Sequence, residues 1–376
     1  MLPGKSKSLS AMQQSLADRL ICLHDEIKGD GDLRALSRVA IAIYDETNDI
    51  LKTFVHSSDT ENPLDHAAAK LSAMPTLKTL AMTGGRRTIN DLEKVADGGQ
   101  DQARRLMSFG YRSSYTVPIR SGGQFYGFLF LNSFQKDFFS PSVIHRLRPY
   151  AELISQVILR ELDTVRMMHA AVKVIRHVST ARDEETGAHL ARMAAYARQI
   201  AVAMVPRHNL SDEFVEYLYQ FAPIHDVGKI SVPDHILLKP GRLDPDEVVV
   251  MQGHVSKGVE IIDMMAYDFS MQALPHFRIL RNIIACHHEA LDGSGYPQGL
   301  TGSAIPLEAR IAAVADVFDA LTSERPYKKA WTNQEAFDLL RSQAGIKFDP
   351  ECVAALLESE AEITAIQSRF EETVFD

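Results

Sequence analysis

The change of pattern near residue 140 constrains the fold of this chain more than any other feature of its sequence. Before it, short apolar runs bounded by turn residues predict strands. "RVAIAIYD" (38–45) is one, and "YTVPIRSGGQFYGFLFLNS" (115–133) reads as a β-hairpin around Ser-Gly-Gly-Gln. After about residue 165 strand signals nearly vanish, and segments with helical spacing take their place at 184–205, 213–226, 244–266, 278–290, 307–322, 333–343 and 350–358. A chain of 376 residues with this pattern predicts two domains, the first mixed and the second mostly helical.

A long helix is predicted between the two parts. Ser140 and Pro141 form a helix-start signal, with serine as the N-cap and proline at the first helical position. Apolar residues then recur every three or four positions from Leu147 to Ile175, and Pro149 is expected to kink the helix near its start. The apolar stripe leaves two interpretations open: a core helix of either domain, or a connector that packs against its twin in a homodimer.

Composition excludes several classes of protein. The net charge of −9 argues against a general binder of duplex nucleic acid, because phosphate contacts dominate the affinity of such proteins. The sequence has no 18-residue apolar run, and its first residues lack the apolar core of a secretory signal, so we expect neither a membrane span nor export. Cys22, Cys286 and Cys352 lie far apart, which fits a reducing cytoplasm and offers neither a disulfide framework nor a thiolate zinc site.

The stretch "IACHHEALDGSGYPQG" (284–299) carries two adjacent histidines just before a glycine-rich turn. Such histidines can be exposed, buried and hydrogen-bonded, or metal ligands. The choice depends on whether other ligand-type residues recur elsewhere at suitable spacing.

Ligand-type residues do recur. Glu185 and His189 are four residues apart and share one helix face, where an ordinary ion pair is the alternative. His225 and Asp226 are adjacent in "APIHDVGKIS", with Lys229 one turn later and Gly228 allowing a close backbone approach. His254, His287, His288 and Asp316 complete the set.

Asp316 lies within the apolar stretch "IAAVADVF", where an unpaired buried carboxylate would cost several kcal/mol. A hydrogen-bonded buried aspartate and a metal ligand both remain open for this residue. Imidazole and carboxylate without thiolate suit Fe, Mn, Co, Ni or Zn. The set is larger than one ion needs, and Asp226 can bridge two ions about 3.5–4 Å apart, an arrangement that neutralises a phosphoryl transition state. Lys229 would then place its charge on a phosphate oxygen.

The blocks "RDEETGAHLARM", "HDVGK", "GHVSKG" and "HHEALDGSGYPQGLTGSAIPLEARIAAVADVFDALTSERPYKKA" together resemble the HD-GYP family of cyclic dinucleotide phosphodiesterases. The resemblance covers about residues 170–345, and the blocks match in order. It implies an all-helical HD-superfamily domain. It also implies metal-dependent hydrolysis of cyclic di-GMP to pGpG and, in some members, to GMP.

The resemblance also implies roles for individual residues. His189, His225, Asp226 and Asp316 would bind one metal, and Asp226, His254, His287 and His288 the second; Glu185 matches the position that helps to bind a third. Two or three divalent ions, iron or manganese, are therefore expected. Asp226 and Lys229 would be catalytic, and the residues that contact substrate would be Lys229, Tyr296, Arg325 and Lys328.

The first part of the chain resembles a GAF domain in its strand order and its 115–133 hairpin. We therefore expect an α+β GAF-like sensory or dimerisation domain at 15–145, a connector helix at 146–180 and an HD-GYP phosphodiesterase domain at 181–376, in a cytoplasmic homodimer joined through the GAF domain and the connector. Two alternatives stay open: a receptor that binds cyclic di-GMP without turnover, and an HD phosphohydrolase acting on another nucleotide such as cyclic GMP–AMP.

Overall fold

The computed structural model describes residues 15–46, 48–64, 67–96, 101–179, 187–268, 276–324 and 329–370. The chain forms two compact units, residues 1–167 and 168–376. The first is an α+β unit and the second is helical, as the sequence predicts.

The first unit is built on one antiparallel sheet of six strands in the order β3-β2-β1-β6-β5-β4. The strands are β1 (Leu36–Asp45), β2 (Ile50–Ser58), β3 (Ala68–Lys70), β4 (Arg87–Ile89), β5 (Ser113–Ser121) and β6 (Gln124–Ser133). The helices before and between the strands are α1 (Leu16–Gly29), α2 (Pro75–Thr83), α3 (Glu93–Ala96) and α4 (Asp101–Ser108).

Both strand predictions from the sequence are confirmed. The run 38–45 belongs to the central strand β1, whose first eight residues are all buried between β2 and β6. The run 115–133 is the β5–β6 hairpin, in which Ser121 pairs with Gln124. Gly122 and Gly123 close the turn at φ +56° and +85°, a backbone region that glycine enters without steric cost.

Helix α5 (Pro141–Ser179) begins where the sequence predicts and continues through Pro149. The Ser140 hydroxyl accepts a hydrogen bond from the Val143 amide at 3.3 Å, which caps the first turn. Its side chains at Leu147, Ile154 and Val165 are buried. The core interpretation therefore holds for this part of the stripe, and the homodimer stays a prediction.

The described part of the second unit contains helices and no strand. The helices are α6 (Gly187–His208), α7 (Asp212–Phe221), α8 (Asp234–Leu237), α9 (Pro245–Gln252), α10 (His254–Asp268), α11 (Phe277–Cys286), α12 (Leu307–Thr322), α13 (Asn333–Gln343), α14 (Pro350–Leu357) and α15 (Glu360–Arg369). No helix among the described residues is both long and apolar enough to cross a membrane.

Three predicted helices run past a break in the structure, each at a place that matters for the site. The segment 213–226 leaves the α-helix after Phe221 and continues as a 3₁₀ turn at Ala222–Ile224, where Pro223 cannot donate a helical hydrogen bond. The segment 244–266 is divided at Gly253 into α9 and α10. The segment 278–290 ends at Cys286. Histidines of interest lie directly after or at each of these breaks.

Helix α6 lies at the centre of the helical unit and packs on α7, α12, α14 and α15. Tyr196 of α6 and Phe318 of α12 are fully buried, and their rings meet edge to face at 5.1 Å. This packing holds α6 and α12 side by side, and each carries part of the candidate site.

Candidate metal centre

The ends of three helices and the interiors of two others bring the predicted ligands of the helical unit together. His225 and Asp226 follow the 3₁₀ turn after α7, His254 begins α10, and His287 and His288 follow α11. His189 and Asp316 lie within the neighbouring helices α6 and α12. Residues at helix ends need not follow a helical repeat, and they can therefore converge from distant parts of the sequence.

These side chains form two adjoining clusters. The first cluster is His189, His225 and Asp316, and the second cluster is Asp226, His254, His287 and His288. In each cluster one potential ligand atom per residue lies within 4.8 Å of every other. The seven described residues that the sequence assigns to two metals are therefore all brought together.

Asp226 lies between the two clusters and turns one carboxylate oxygen to each. Its Oδ2 is 3.2 Å from His225 Nε2 and 2.6 Å from Lys229 Nζ. Its Oδ1 is 3.0 Å from His254 Nε2 and 3.5 Å from His287 Nε2. A carboxylate in this position can bridge two cations.

Hydrogen bonds fix which ring nitrogen of each histidine faces the centre. Nδ1 of His225, His254 and His287 bonds to the carbonyl oxygen three or four residues earlier, at 2.9, 2.7 and 3.0 Å respectively. A carbonyl oxygen only accepts, so Nδ1 carries the proton in each ring. Nε2 then presents its lone pair to the neighbouring cluster, which is the tautomer that a metal requires.

His189 is oriented by a side chain instead. Its Nδ1 lies 2.7 Å from Oδ2 of the fully buried Asp319, and its Nε2 is 3.8 Å from Asp316 Oδ1. Asp319 in turn accepts two hydrogen bonds from the Arg192 guanidinium, at 2.7 and 3.1 Å. Sequence reasoning missed Asp319 and Arg192, although each lies three residues after a predicted ligand on the same helix.

A cation fits the centre because acceptors face one another there without donors between them. Within the described residues, Nε2 of His254 and His287 and Oδ1 of Asp226 are buried and have no hydrogen-bond partner. The protons of both rings are held at Nδ1, so the short distances to Asp226 join acceptor to acceptor. Such an arrangement is costly unless a positive ion lies between the atoms. Imidazole and carboxylate donors suit a divalent transition metal, and two adjoining clusters fit a binuclear site.

The charges of the centre agree with this donor set. Burial alone would raise the pKa of Asp226, but His225 and Lys229 beside it outweigh burial and hold that pKa well below its usual range. Burial, together with the neighbouring His287, lowers the pKa of His288 to about 2. Asp226 is therefore ionised and His288 neutral, as metal ligation requires.

The Gly-Tyr-Pro turn packs directly against His288. The Tyr296 ring stacks on the His288 ring, with centroids 4.6 Å apart and planes inclined by 25°. A Cβ atom on Gly295 would lie 2.3 Å from the Ala290 amide nitrogen, so only glycine fits there. Glu289, buried beside the pair, accepts hydrogen bonds from the amides of Gln298 and Leu300 at 2.8 and 2.9 Å and ties the turn back to α11.

Gly228 allows an equally close approach on the other side of the centre. A Cβ atom at this position would lie 1.9 Å from the carbonyl oxygen of His254 and 2.4 Å from the Gly258 nitrogen. The 3₁₀ segment Val227–Ser231 can therefore lie directly on α10, which brings Asp226 within reach of His254.

Three predicted site residues lie outside the described part of the structure. They are Glu185, expected to bind a third ion, and Arg325 and Lys328, expected to contact substrate. Their roles stay predictions.

Comparison with known proteins places this site in a family. Residues 177–352 match the HD domain family. Over 217 residues the chain is 43% identical to a cyclic di-GMP phosphodiesterase response regulator of Xanthomonas campestris, which covers 58% of this chain and 53% of that protein. It is also 43% identical over 188 residues to a 3'3'-cGAMP-specific phosphodiesterase of Vibrio cholerae, covering 50% of this chain and 34% of the relative.

The chain spans about half, or less, of the length of these curated relatives. Among solved structures, it resembles the phycocyanobilin-bound GAF domain of a cyanobacterial phytochrome, at 16% identity and a TM-score of 0.31, over 43% of this chain and 96% of that one. Residues 177–352 therefore match the HD domain family, and the chain is similar over about half its length to these cyclic dinucleotide phosphodiesterases.

Proposed function

We propose that this chain hydrolyses cyclic di-GMP to pGpG, and onward to GMP where a third ion is bound, with divalent metal ions held by the two clusters. The observation that carries the proposal is the position of Asp226, which turns one oxygen to each of two sets of buried imidazoles. Metal ions bound there would activate water and neutralise charge on the phosphoryl group.

The chain's own residues set the conditions for that chemistry. Backbone carbonyls hold His225, His254 and His287 with Nε2 towards the centre, so that no ring has to reorient when an ion binds. Lys229 donates to Asp226 Oδ2 at 2.6 Å and remains partly exposed. Its ammonium group is therefore close enough to the centre to reach a phosphate oxygen of a bound substrate and to stabilise negative charge that develops there.

Tyr296 forms a wall of the same site. Its ring is held against His288 by a turn that Glu289 and Gly295 fix in place. We infer that this wall packs against the sugar or base of the substrate, and that Arg325 and Lys328 contact the guanine edge, where cationic side chains commonly bind O6 and N7.

Cyclic GMP–AMP is a second candidate substrate, and one observation favours it. A relative that is specific for 3'3'-cGAMP matches this chain at the same 43% identity as the cyclic di-GMP phosphodiesterase. Both dinucleotides present the same pair of phosphodiester bonds to the metal centre. They differ in one base, so the choice between them depends on base contacts.

The experiment is an anaerobic incubation of the purified full chain with Fe²⁺ or Mn²⁺ and either cyclic di-GMP or 3'3'-cGAMP, with products separated by chromatography. We expect pGpG from cyclic di-GMP, and the ratio of the two rates identifies the preferred substrate. Asp226→Asn is the matched control, since it keeps the size of the side chain and removes its charge. Binding of an intact dinucleotide without turnover in any metal would contradict the proposal and indicate a receptor.

The domain arrangement predicted from the sequence completes the proposal. We infer a regulatory or dimerisation role for residues 15–145, a connector at 146–180 and the phosphodiesterase domain at 181–376, in a homodimer. Sedimentation of the full chain tests the homodimer directly.

A further inference from the structure

His189 differs from the other oriented histidines of the centre in what holds its ring. His225, His254 and His287 bond through Nδ1 to backbone carbonyls of their own turns. Nδ1 of His189 bonds instead to a carboxylate on another helix, Oδ2 of Asp319, at 2.7 Å. The tautomer of His189 therefore depends on a side chain that a single substitution can change.

Asp319 is surrounded by donors. It is fully buried and accepts hydrogen bonds from His189, from two nitrogens of Arg192 and from the Ser323 hydroxyl at 2.9 Å, so that both carboxylate oxygens are used. Every group in contact with the two oxygens is a donor, so a proton on His189 Nδ1 finds an acceptor in Asp319.

Arg192 fixes the carboxylate in turn. Its Nε and Nη2 contact the two oxygens of Asp319 in a forked arrangement, and its Nη1 donates to the Phe370 carbonyl at 3.0 Å. A planar guanidinium bound on both sides leaves Asp319 little freedom to rotate. It also offsets the negative charge of Asp319, which would otherwise be isolated in the interior.

The geometry extends across two packed helices. His189 and Arg192 are three residues apart on α6, and Asp316 and Asp319 are three residues apart on α12. Each helix therefore contributes one residue to the first cluster and one to the Arg192–Asp319 pair that contacts His189.

We propose that Arg192 and Asp319 act together as positioning residues, which hold His189 as the Nδ1–H tautomer and aim its Nε2 at an ion in the first cluster. This inference rests on the proposed metal centre for its purpose. The tautomer itself is a property of the metal-free chain. A carboxylate partner also makes the imidazole a stronger ligand than a carbonyl partner does.

The first test measures the tautomer without metal. Long-range ¹H–¹⁵N spectra of histidine-labelled, metal-free full chain report which ring nitrogen is protonated, and His189→Gln identifies the signals of His189. We expect the Nδ1–H form in the wild type. In Asp319→Asn the side-chain amide has one donor end, which must face either His189 or Arg192, so we expect the His189 tautomer to change or become mixed. An unchanged Nδ1–H form in a folded Asp319→Asn chain would overturn the inference.

The second test titrates metal-free chain with Mn²⁺ in competition with a chelator. We expect Asp319→Asn to lower the affinity for one of the bound ions by about 10- to 100-fold. The affinity for the other should stay within about threefold of wild type. Arg192→Lys keeps the charge but loses the fork, so we expect a loss of about three- to tenfold at the same ion. Equal affinities in all variants would overturn the inference.

Glu308→Gln is the matched control for removing a buried charge from α12. Glu308 lies on the same helix, is buried, and accepts a hydrogen bond from the Asn282 side chain at 2.7 Å. It belongs to neither cluster. We expect wild-type metal affinity and an unchanged His189 tautomer. If Asp319→Asn fails to fold, Arg192→Lys decides, because it leaves the carboxylate in place. If the wild-type chain bound no metal, the proposed function would be contradicted. The tautomer test would still show whether Asp319 and Arg192 orient His189.

Discussion

Two equally buried histidines, one in each half of the molecule, have opposite surroundings. His24 in α1 is 2% exposed and uses both ring nitrogens, Nδ1 with the Ser57 hydroxyl at 2.8 Å and Nε2 with the Leu36 carbonyl at 3.1 Å. His254 in α10 is also 2% exposed but uses only Nδ1 in this way, and its Nε2 faces the carboxylate of Asp226.

The difference shows what separates a structural histidine from a candidate ligand. Burial and residue type are the same in both, so neither separates them. The deciding feature is the atom opposite the second ring nitrogen: a partner of complementary type in the sheet domain, and another acceptor in the helical domain. The sheet domain satisfies both ring nitrogens of His24 from within, whereas the centre of the helical domain leaves acceptors that a cation would complete.

The largest effect is expected from Asp226→Ala, which removes the group that the two clusters share. We expect hydrolysis to fall by about 10³-fold or more, since losing one charge-stabilising group already costs about 10²–10³-fold. Metal content per chain should fall at the same time. Anaerobic turnover and elemental analysis of the same samples measure both.

Asp263→Ala is the control for this prediction. Asp263 is exposed and pairs with Arg281 on the surface of the helical unit, so its removal should leave both quantities near wild type. Full metal content and turnover in Asp226→Ala would contradict the bridging role.

The comparison of the two histidines gives the next prediction. His24→Ala leaves the Leu36 carbonyl and the Ser57 hydroxyl without their partner in the interior, so we expect the free energy of unfolding to fall by about 2 kcal/mol with turnover nearly unchanged. His254→Ala should have the opposite profile, with turnover reduced about 10²-fold and metal-free stability changed by less than about 1 kcal/mol. Urea unfolding of metal-free chain and anaerobic turnover measure the two quantities. If both variants changed stability and turnover in the same way, the distinction between a structural histidine and a candidate ligand would be wrong.

A smaller effect is expected from Gly295→Ala in the turn beside His288. The new Cβ atom would lie 2.3 Å from the Ala290 nitrogen, so the turn has to move and Tyr296 with it. We expect a stability loss of about 1–3 kcal/mol and a higher KM, with metal content unchanged. Gly31→Ala is the control, because nothing lies within 4 Å of its Cβ position. A wild-type KM in Gly295→Ala would contradict the inference that Tyr296 packs against the substrate.

The smallest effect concerns the loss of stability at acidic pH. Burial lowers the pKa of His24 below its ordinary value of 6.5 in the folded chain. The unfolded chain therefore binds more protons than the folded one when the pH falls below about 6.5, and the stability that His24 contributes is complete above that pH and declines as the pH falls below it. We expect His24→Gln to reduce the loss of thermal stability between pH 7 and pH 5.5 in metal-free buffer. An identical loss in wild type and variant would show that His24 is protonated equally in both states.

Local patterns were sufficient to predict much of this protein. The β-hairpin at 115–133, the helix start at Pro141 and the helices 307–322 and 333–343 follow from short-range periodicity, turn residues and caps. The candidate ligand residues were also predicted from their type and from a family resemblance. The structure brings the seven that it describes into two clusters.

Tertiary structure decided the rest, because the deciding contacts join residues far apart in the sequence. The breaks after Phe221, at Gly253 and after Cys286 were not predicted, since a continuous apolar pattern does not show where the chain must turn to bring the candidate ligands together. Asp319 and His189 are 130 residues apart, and no local pattern links them. Residue types and motifs predict which groups could bind a metal. The packing of α6 against α12 joins His189 to Asp319, and this contact sets which ring nitrogen of His189 faces the centre.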